Sequence, residues 1–320
     1  MEQTKIDIVI PVYKPGSEFG DLIKRLMHQT VVPEHIFIMQ TIRDESEIMV
    51  QSMDERIRII PVMQSEFDHG GTRALGMDKS TAEFVLMMTQ DAVPADPFLL
   101  EKLSEVLNEH PDAVAAYARQ IPDQNCGLLE KYTRVFNYPP KSQIKSQKDL
   151  PKLGIKTYFC SNVCAAYRRG VYLELGGFPH PVIFNEDLIF AAGAIQNGWK
   201  IIYKADARVI HSHEYTYREL IRRNFDQGVS QACHPEIFEK VKKRLIWKQT
   251  KLEDSMQPPL KAPFPKPDNR EQFWSDFENK SFEYVAKKYG GIGLKNDAKL
   301  FLRKIKRKIK KLVVKGGKRD

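Results

Sequence analysis

The chain has 320 residues and a net charge of +9, with 42% hydrophobic and 28% charged residues. This composition is typical of a soluble globular protein, and the length is enough for one large α/β domain with an appendage or for two domains. No apolar run approaches the ~20 residues needed to span a bilayer. The polar residues 1–5 lead directly into an apolar segment, so we also expect no signal peptide.

Apolar runs and helical periodicities alternate along the first 240 residues. The predicted strands are 6–12, 35–40, 56–61, 82–89, 113–120, 158–167 and 199–205, the last of which leads into 207–211. The predicted helices are 21–29, 72–80, 97–108, 187–196 and 217–231. This alternation indicates a mostly parallel sheet with right-handed crossovers, whose ligands bind at the C-terminal ends of the strands.

Three other segments lack this alternation. Residues 138–156, rich in Lys, Ser, Gln and Pro, are predicted to form a mobile loop over the ligand site expected at the strand ends. The Pro-dense segment 258–268 marks a domain boundary, and 273–289 is predicted to be a helix that ends at the glycines of 290–293. We therefore divide the chain into an α/β domain (1–240), a Pro-containing linker with a helical extension (241–294) and a basic tail (295–320).

The positive charge is concentrated in the tail. Residues 295–320 contain twelve Lys or Arg and two Asp, a net charge of +10, which leaves −1 of the total for the preceding 294 residues. Apolar residues of the tail fall on one helical stripe ~120° wide, as in amphipathic helices that lie on anionic membranes. The pattern predicts peripheral attachment to the inner face of the cell membrane. Nucleic-acid binding is less favoured, because Phe301 is the only aromatic residue of the tail.

The four cysteines show no paired spacing typical of a metal site. We interpret Cys160 and Cys164 as buried thiols. A reducing cytoplasm is consistent with this interpretation.

Carboxylates follow two of the predicted elements. Asp91 ends the strand 82–89, where it can hold Mg²⁺ or Mn²⁺ against a diphosphate, or can cap the following turn. Glu186 and Asp187 open the helix 187–196. They are either an acidic first turn behind an N-cap or a general base that takes the proton of an acceptor hydroxyl.

His211 and His213 alternate at a strand end, so both can point to one face. One of them can complete a metal site with Asp91, or both are ordinary polar edge residues. Arg73 follows a glycine pair at a helix start, a turn that suits a phosphate or a nucleobase. Arg73 and one of Arg222 and Arg223 are candidates to neutralise a leaving diphosphate, although each also fits a solvated helix face.

Taken together, these segments resemble family 2 glycosyltransferases of the GT-A fold, and most closely the bacterial rhamnosyltransferase-like branch. The matching segments, in the order of that family, are 8–13, 67–73, 89–96, 117–120, 159–162, 175–178, 185–187, 211–213 and 225–229. The resemblance covers roughly residues 5–240. It implies an α/β fold with a Rossmann-like mixed, mostly parallel sheet flanked by helices, which here precedes the C-terminal helical extension.

The resemblance also implies roles for individual residues. Asp187 is the catalytic base with Glu186 beside it. Asp91 and His211 bind the divalent metal, Mg²⁺ or Mn²⁺, with His213 as the second choice. The residues expected to line the nucleotide-sugar pocket are Pro11, Tyr13, Asp68, Arg73, Gln90 and Asp91.

The implied reaction is an inverting transfer of L-rhamnose from dTDP-β-L-rhamnose to a growing surface polysaccharide or lipid-linked glycan. Two departures from the family keep other functions open. The metal motif is reduced to one carboxylate, Asp91, and the second strand ends in Gln40 and Thr41 rather than in an aspartate. The alternatives are a UDP-hexose transferase of the same fold and a catalytically inactive sugar-nucleotide-binding subunit of a polysaccharide assembly complex.

Overall fold

The structure, a computed structural model, describes residues 5–47, 54–182, 184–213, 215, 217–235 and 237. The chain divides into two units, Met1–Thr250 and Lys251–Asp320, and every described residue lies in the first. The predicted linker, helical extension and basic tail therefore lie outside the described residues. Among the helices that are described, none is both long enough and apolar enough to cross a membrane.

The described strands form one nine-stranded mixed sheet. They are β1 (Ile6–Val12), β2 (Ile36–Ile42), β3 (Ile57–Met63), β4 (Phe84–Met88), β5 (Val93–Pro94), β6 (Ala113–Ile121), β7 (Gln143–Lys145), β8 (Cys164–Arg168) and β9 (Lys200–Ile210). Their order is β3-β2-β1-β4-β8-β6-β9-β5, with β7 also paired to β9. Strands β5, β7 and β8 run against the common direction of the others, so the predicted mixed, mostly parallel sheet is confirmed.

Helices cover both faces of this sheet. They are α1 (Glu18–Met27), α2 (His69–Lys79), α3 (Leu99–Glu109), α4 (Leu128–Asn137), α5 (Leu150–Leu153), α6 (Arg169–Glu174), α7 (Glu186–Gln196) and α8 (Tyr217–Ala232). Ile8 and Ile10 of β1 pack with buried residues of α1 and α3, whereas Val9 packs with those of α2 and α7. This follows from the two-residue period of a strand, which sends successive side chains to opposite faces.

Two stretches adopt a conformation other than the predicted one. The segment 138–156, predicted as a mobile loop, contains β7 and α5, and β7 pairs with β9 over Gln143–Lys145. The strand predicted over 158–167 begins only at Cys164, because residues Gly154–Tyr158 form a 3₁₀ helix and the backbone then turns, with the Cys164 N–H donating to the Ser161 carbonyl. Apolar residues of both stretches are packed in the core. In 158–163, their burial therefore explains the apolar pattern without the strand that it predicted. The interpretation of Cys160 and Cys164 as buried thiols is confirmed.

Candidate active site

An open cavity of about 960 Å³ lies where several strands end. It is reached by the C-terminal end of β1, the residues after β4, the end of β6 and the residues after β9. Helices α2, α4, α7 and α8 each contribute side chains to its wall. This position agrees with the expectation that ligands of such sheets bind at the carboxyl ends of the strands.

Most of the predicted site residues meet in this cavity. Its lining includes Pro11, Tyr13, Arg73, Gln90, Asp91, Glu186, Asp187, His211, His213 and Arg223. Asp68 is not among the lining residues, and its carboxylate Oδ1 accepts hydrogen bonds from the N–H groups of Gly70, Gly71 and Val182 at 2.9–3.1 Å. Asp68 is thus the N-cap of α2 and fastens this helix to residue 182. The side chain of Arg222 lies outside the part of the chain that the structure describes.

Asp91, His211 and His213 form a cluster that is able to hold a metal ion. Their ligand atoms lie within 4.8 Å of one another. Nε2 of His211 is 3.4 Å from Oδ1 of Asp91, and Nε2 of His213 is 3.4 Å from Oδ2. Ligands that bind one ion at ~2.1 Å and at right angles are roughly 3 Å apart, so this spacing fits a shared ion.

The charge states of the cluster suit the same role. Burial by itself raises the pKa of Asp91, but the hydrogen bond and charge of His211 and the charge of His213 together lower it below its usual value. Burial, and next the charge of His211, lower the pKa of His213 to about 4. Near neutral pH, Asp91 is therefore a carboxylate and His213 a neutral imidazole, the forms that bind metals.

Gln90 fixes the loop that follows β1. Its Oε1 accepts a hydrogen bond from the Tyr13 N–H at 2.8 Å, and its Nε2 donates to the Tyr13 carbonyl at 3.2 Å. Tyr13 is 41% exposed and lines the cavity. The pair thus joins the ends of β1 and β4 and leaves an aromatic surface open to a ligand.

The two acids that open α7 are held by Asn162. Oδ2 of Asp187 accepts from the Asn162 N–H at 2.9 Å, and Oδ1 accepts from the Leu188 N–H at 2.8 Å. Oε1 of Glu186 accepts from Nδ2 of Asn162 at 3.0 Å and lies 3.3 Å from Nη1 of Arg73. Asn162 thus holds both carboxylates, Asp187 through its backbone N–H and Glu186 through its side-chain amide.

The environment separates the pKa values of these two acids. Burial, together with the charge of Glu186, raises the pKa of Asp187 to about 7. Burial also acts to raise the pKa of Glu186, but the charges of Arg73 and His69 outweigh it and lower that pKa. Glu186 is therefore the ionised partner of Arg73, while Asp187 titrates close to neutral pH, as an efficient general base should.

Several residues of the site had no predicted role. Asn162 and Gln120 lie in segments noted only for their resemblance to the family, and Glu130 and Arg134 lie on α4, which was not predicted. Nε of Arg134 donates to Oε1 of Glu130 at 2.7 Å, an i,i+4 pair on a helix. That spacing of opposite charges was the available sequence signal for α4.

Comparisons with known proteins identify the family of the chain. Residues 7–176 match the model of the glycosyl transferase family 2. The chain is 40% identical to the O-antigen chain rhamnosyltransferase RfbN of Salmonella typhimurium strain LT2, over 73% of this chain and 74% of that protein. It is 38% identical to the O-antigen chain rhamnosyltransferase WbaN of Salmonella anatum, over 72% and 73% respectively.

Solved structures show the same fold. The crystal structure of Staphylococcus aureus TarS 1–349 aligns with a TM-score of 0.52 and 14% identity, covering 88% of this chain and 80% of that one. Its complex with UDP-GlcNAc aligns with a TM-score of 0.51 and 14% identity, covering 68% and 61%. At this identity the likeness concerns the fold alone. From the family match and the two rhamnosyltransferase relatives, we conclude that the chain belongs to glycosyl transferase family 2 and is a glycosyltransferase.

Proposed function

We propose that this glycosyltransferase is inverting and metal-dependent, and that it transfers L-rhamnose from dTDP-β-L-rhamnose to a growing surface polysaccharide or lipid-linked glycan. The observation that carries the proposal is that one cavity holds both a buried carboxylate with a pKa of about 7, on Asp187, and the cluster of Asp91, His211 and His213. The names of the two Salmonella relatives support the choice of rhamnose.

The cluster fits a divalent ion, Mg²⁺ or Mn²⁺. Asp91 and His211 are the proposed ligands, with His213 as the third. An ion held by these residues would supply positive charge to offset the charge that develops on the departing diphosphate.

Asp187 is the proposed general base. It takes the proton of the acceptor hydroxyl while the acceptor oxygen forms its bond to the anomeric carbon. In the same displacement the bond between that carbon and the diphosphate oxygen breaks, and dTDP leaves with the electron pair. Glu186, which is paired with Arg73, holds Asn162 in place and keeps the pKa of Asp187 raised.

Of the predicted arginines, Arg223 is better placed than Arg73 to meet a diphosphate. The side chain of Arg73 is 5% exposed, and its Nη1 is already committed to Glu186 and to the His69 carbonyl. Arg223 is exposed and lines the cavity, and its guanidinium lies over the rings of Phe184 and Tyr215 at 5.3 and 5.5 Å. Arg73 therefore pairs with Glu186. Arg223 donates one hydrogen bond to the Tyr215 hydroxyl at 3.2 Å, and its other N–H groups are the proposed contacts to the diphosphate.

The proposed cellular place is the cytoplasmic face of the membrane. Its support is the basic amphipathic pattern of residues 295–320, which suits a surface of anionic lipid. A lipid-linked acceptor lies in that surface, so attachment brings the enzyme and its substrate together.

The experiment that tests the function is a donor panel. The full chain is incubated with Mg²⁺ or Mn²⁺, lipid-linked glycan and dTDP-, UDP- or GDP-sugars, and release of nucleoside diphosphate is followed for wild type and Asp187→Asn. Asp112→Asn serves as the matched control, because Asp112 is exposed and pairs with Lys200 outside the cavity lining.

We expect release from dTDP-rhamnose that falls about 10²–10⁴-fold in Asp187→Asn and is unchanged in the control. Release from a UDP-sugar instead would keep the enzyme class and overturn the rhamnose assignment. Tight donor binding without release under any condition would favour the inactive binding subunit.

A further inference from the structure

Gln120 makes four side-chain hydrogen bonds at the end of β6. Its Nε2 donates to the hydroxyl of Tyr138 and, at 3.0 Å, to that of Ser161. Its Oε1 accepts from Nη1 of Arg134 and lies 2.9 Å from Nδ1 of His211. Gln120 is 2% exposed, so its amide is buried beneath the cavity wall.

Arg134 fixes which end of the amide faces His211. A guanidinium can only donate hydrogen bonds, so the Gln120 atom that faces Arg134 must be the oxygen. The amide nitrogen then points to Tyr138 and Ser161, whose hydroxyls are able to accept. The orientation of the amide thus follows from the chemistry of its neighbours.

This orientation determines the tautomer of the neutral His211 ring. Because Oε1 of Gln120 can only accept, Nδ1 of His211 must carry the hydrogen in their 2.9 Å contact. In the neutral ring the lone pair is then on Nε2, which lies 3.4 Å from Oδ1 of Asp91. Only the protonated ring can donate from Nε2 to that carboxylate. A histidine that binds a metal through one nitrogen generally donates a hydrogen bond from the other.

We propose that Gln120 is a positioning residue that fixes the tautomer and ring orientation of His211 so that Nε2 is presented to the ion. The proposal rests on the ion site of the proposed function. It assigns no contact between Gln120 and the substrate. Ser161 and Tyr138 hold the amide, and the amide holds the imidazole.

The test measures ion binding without any donor. Mn²⁺ is titrated into the full chain, and the free ion is followed by electron paramagnetic resonance. The variants are Gln120→Met, which keeps the length but loses the acceptor, and Gln120→Glu, which keeps an acceptor for Nδ1. Gln143→Met is the matched control, because Gln143 is an exposed residue of β7. Asp91→Asn reports on the ion site itself.

We expect Gln120→Met to weaken Mn²⁺ binding about 10–100-fold, the usual effect of losing a partner of a ligating histidine. Gln120→Glu should restore affinity to within about threefold of wild type, and Gln143→Met should not change it. Nitrogen-15 spectra of the metal-free chain supply a second readout. They should show His211 protonated on Nδ1 in the wild type, and a mixture of tautomers in Gln120→Met.

Two failures are distinguishable. If Asp91→Asn weakens Mn²⁺ binding but Gln120→Met does not, or if both Gln120 variants weaken it equally, the positioning role is wrong while the ion site stands. If the wild type and Asp91→Asn are alike in binding no Mn²⁺, the ion site of the proposed function is wrong, and the role of Gln120 is wrong with it. Thermal unfolding of each variant separates these results from loss of the fold.

Discussion

Replacing Asp187 with asparagine removes a buried charge and the proposed base in one step. The pKa of Asp187 is raised from 3.8 to about 7 in the folded chain by burial and by Glu186. Between about pH 4 and pH 7 the folded state therefore holds a proton that the unfolded state has released. Relative to the variant, the free energy of unfolding of the wild type is therefore highest below about pH 4. It falls by ~1.4 kcal/mol per pH unit between about pH 4 and pH 7.

The assay is urea unfolding of wild type and Asp187→Asn at pH 5.0 and 7.5. The free energy of unfolding of the wild type should fall by about 2–3 kcal/mol more than that of the variant over this interval. Asparagine also loses one acceptor for the N–H groups of Asn162 and Leu188, a cost of about 1–3 kcal/mol that is the same at both pH values. The comparison of the two pH values removes this constant term.

The control is Asp112→Asn. The hydrogen bond of Asp112 to Lys200 lowers its pKa, so its carboxylate is ionised at both pH values in the folded and the unfolded state. Its stability difference from wild type should therefore not change with pH. The free energy of unfolding of Asp187→Asn, relative to wild type, should rise with pH. If this difference were independent of pH, or fell as pH rises, Asp187 would not be a carboxyl group of raised pKa. Its assignment as the base would then lose its physical basis.

Three further predictions concern activity, packing and the tail. The kcat/KM of the wild type should fall as pH drops below about 7, because Asp187 becomes protonated; a rate that stays level down to pH 5 would contradict the base assignment. Gly70→Ala should lower the free energy of unfolding by about 1–3 kcal/mol, because a Cβ there would lie 2.0 Å from the Pro179 carbonyl oxygen. The control Gly20→Ala, whose Cβ would have nothing within 4 Å, should be neutral or stabilising. Equal shifts of the unfolding temperature in the two variants would show that the contact with Pro179 does not restrict residue 70. Deletion of residues 300–320 should lower binding to anionic liposomes in sedimentation assays while sparing turnover on a soluble acceptor, and unchanged liposome binding would argue against the tail as anchor.

The sequence was most informative where local pattern and tertiary structure agree. The run IDIVIPV became β1 with the predicted bounds, because a strand inside a parallel sheet is apolar on both faces. The same signal failed over 158–163, where apolar residues enter the core through a 3₁₀ helix and a turn. Apolar composition predicts burial in both cases, but it does not distinguish a strand from a buried turn.

Some residues of the candidate site could be predicted from local pattern and others could not. Asp91, His211 and Asp187 were identified because they follow strands or open a helix, positions that are visible in the chain itself. The roles of Gln120 and Asn162 depend on hydrogen bonds to residues 91 and 25 positions away, so no local pattern announces them. Asp68 was assigned to the pocket by resemblance, whereas its carboxylate is used by three backbone N–H groups.

The most direct test of the central claim is real-time proton NMR of the full chain with Mg²⁺, dTDP-β-L-rhamnose and lipid-linked glycan. It follows the loss of the donor and the configuration of the rhamnose that appears. A single displacement assisted by Asp187 predicts dTDP release together with α-linked rhamnose, both about 10²–10⁴-fold slower in Asp187→Asn. Rhamnose that appears with the β configuration of the donor, or equal release by the variant, would contradict the account.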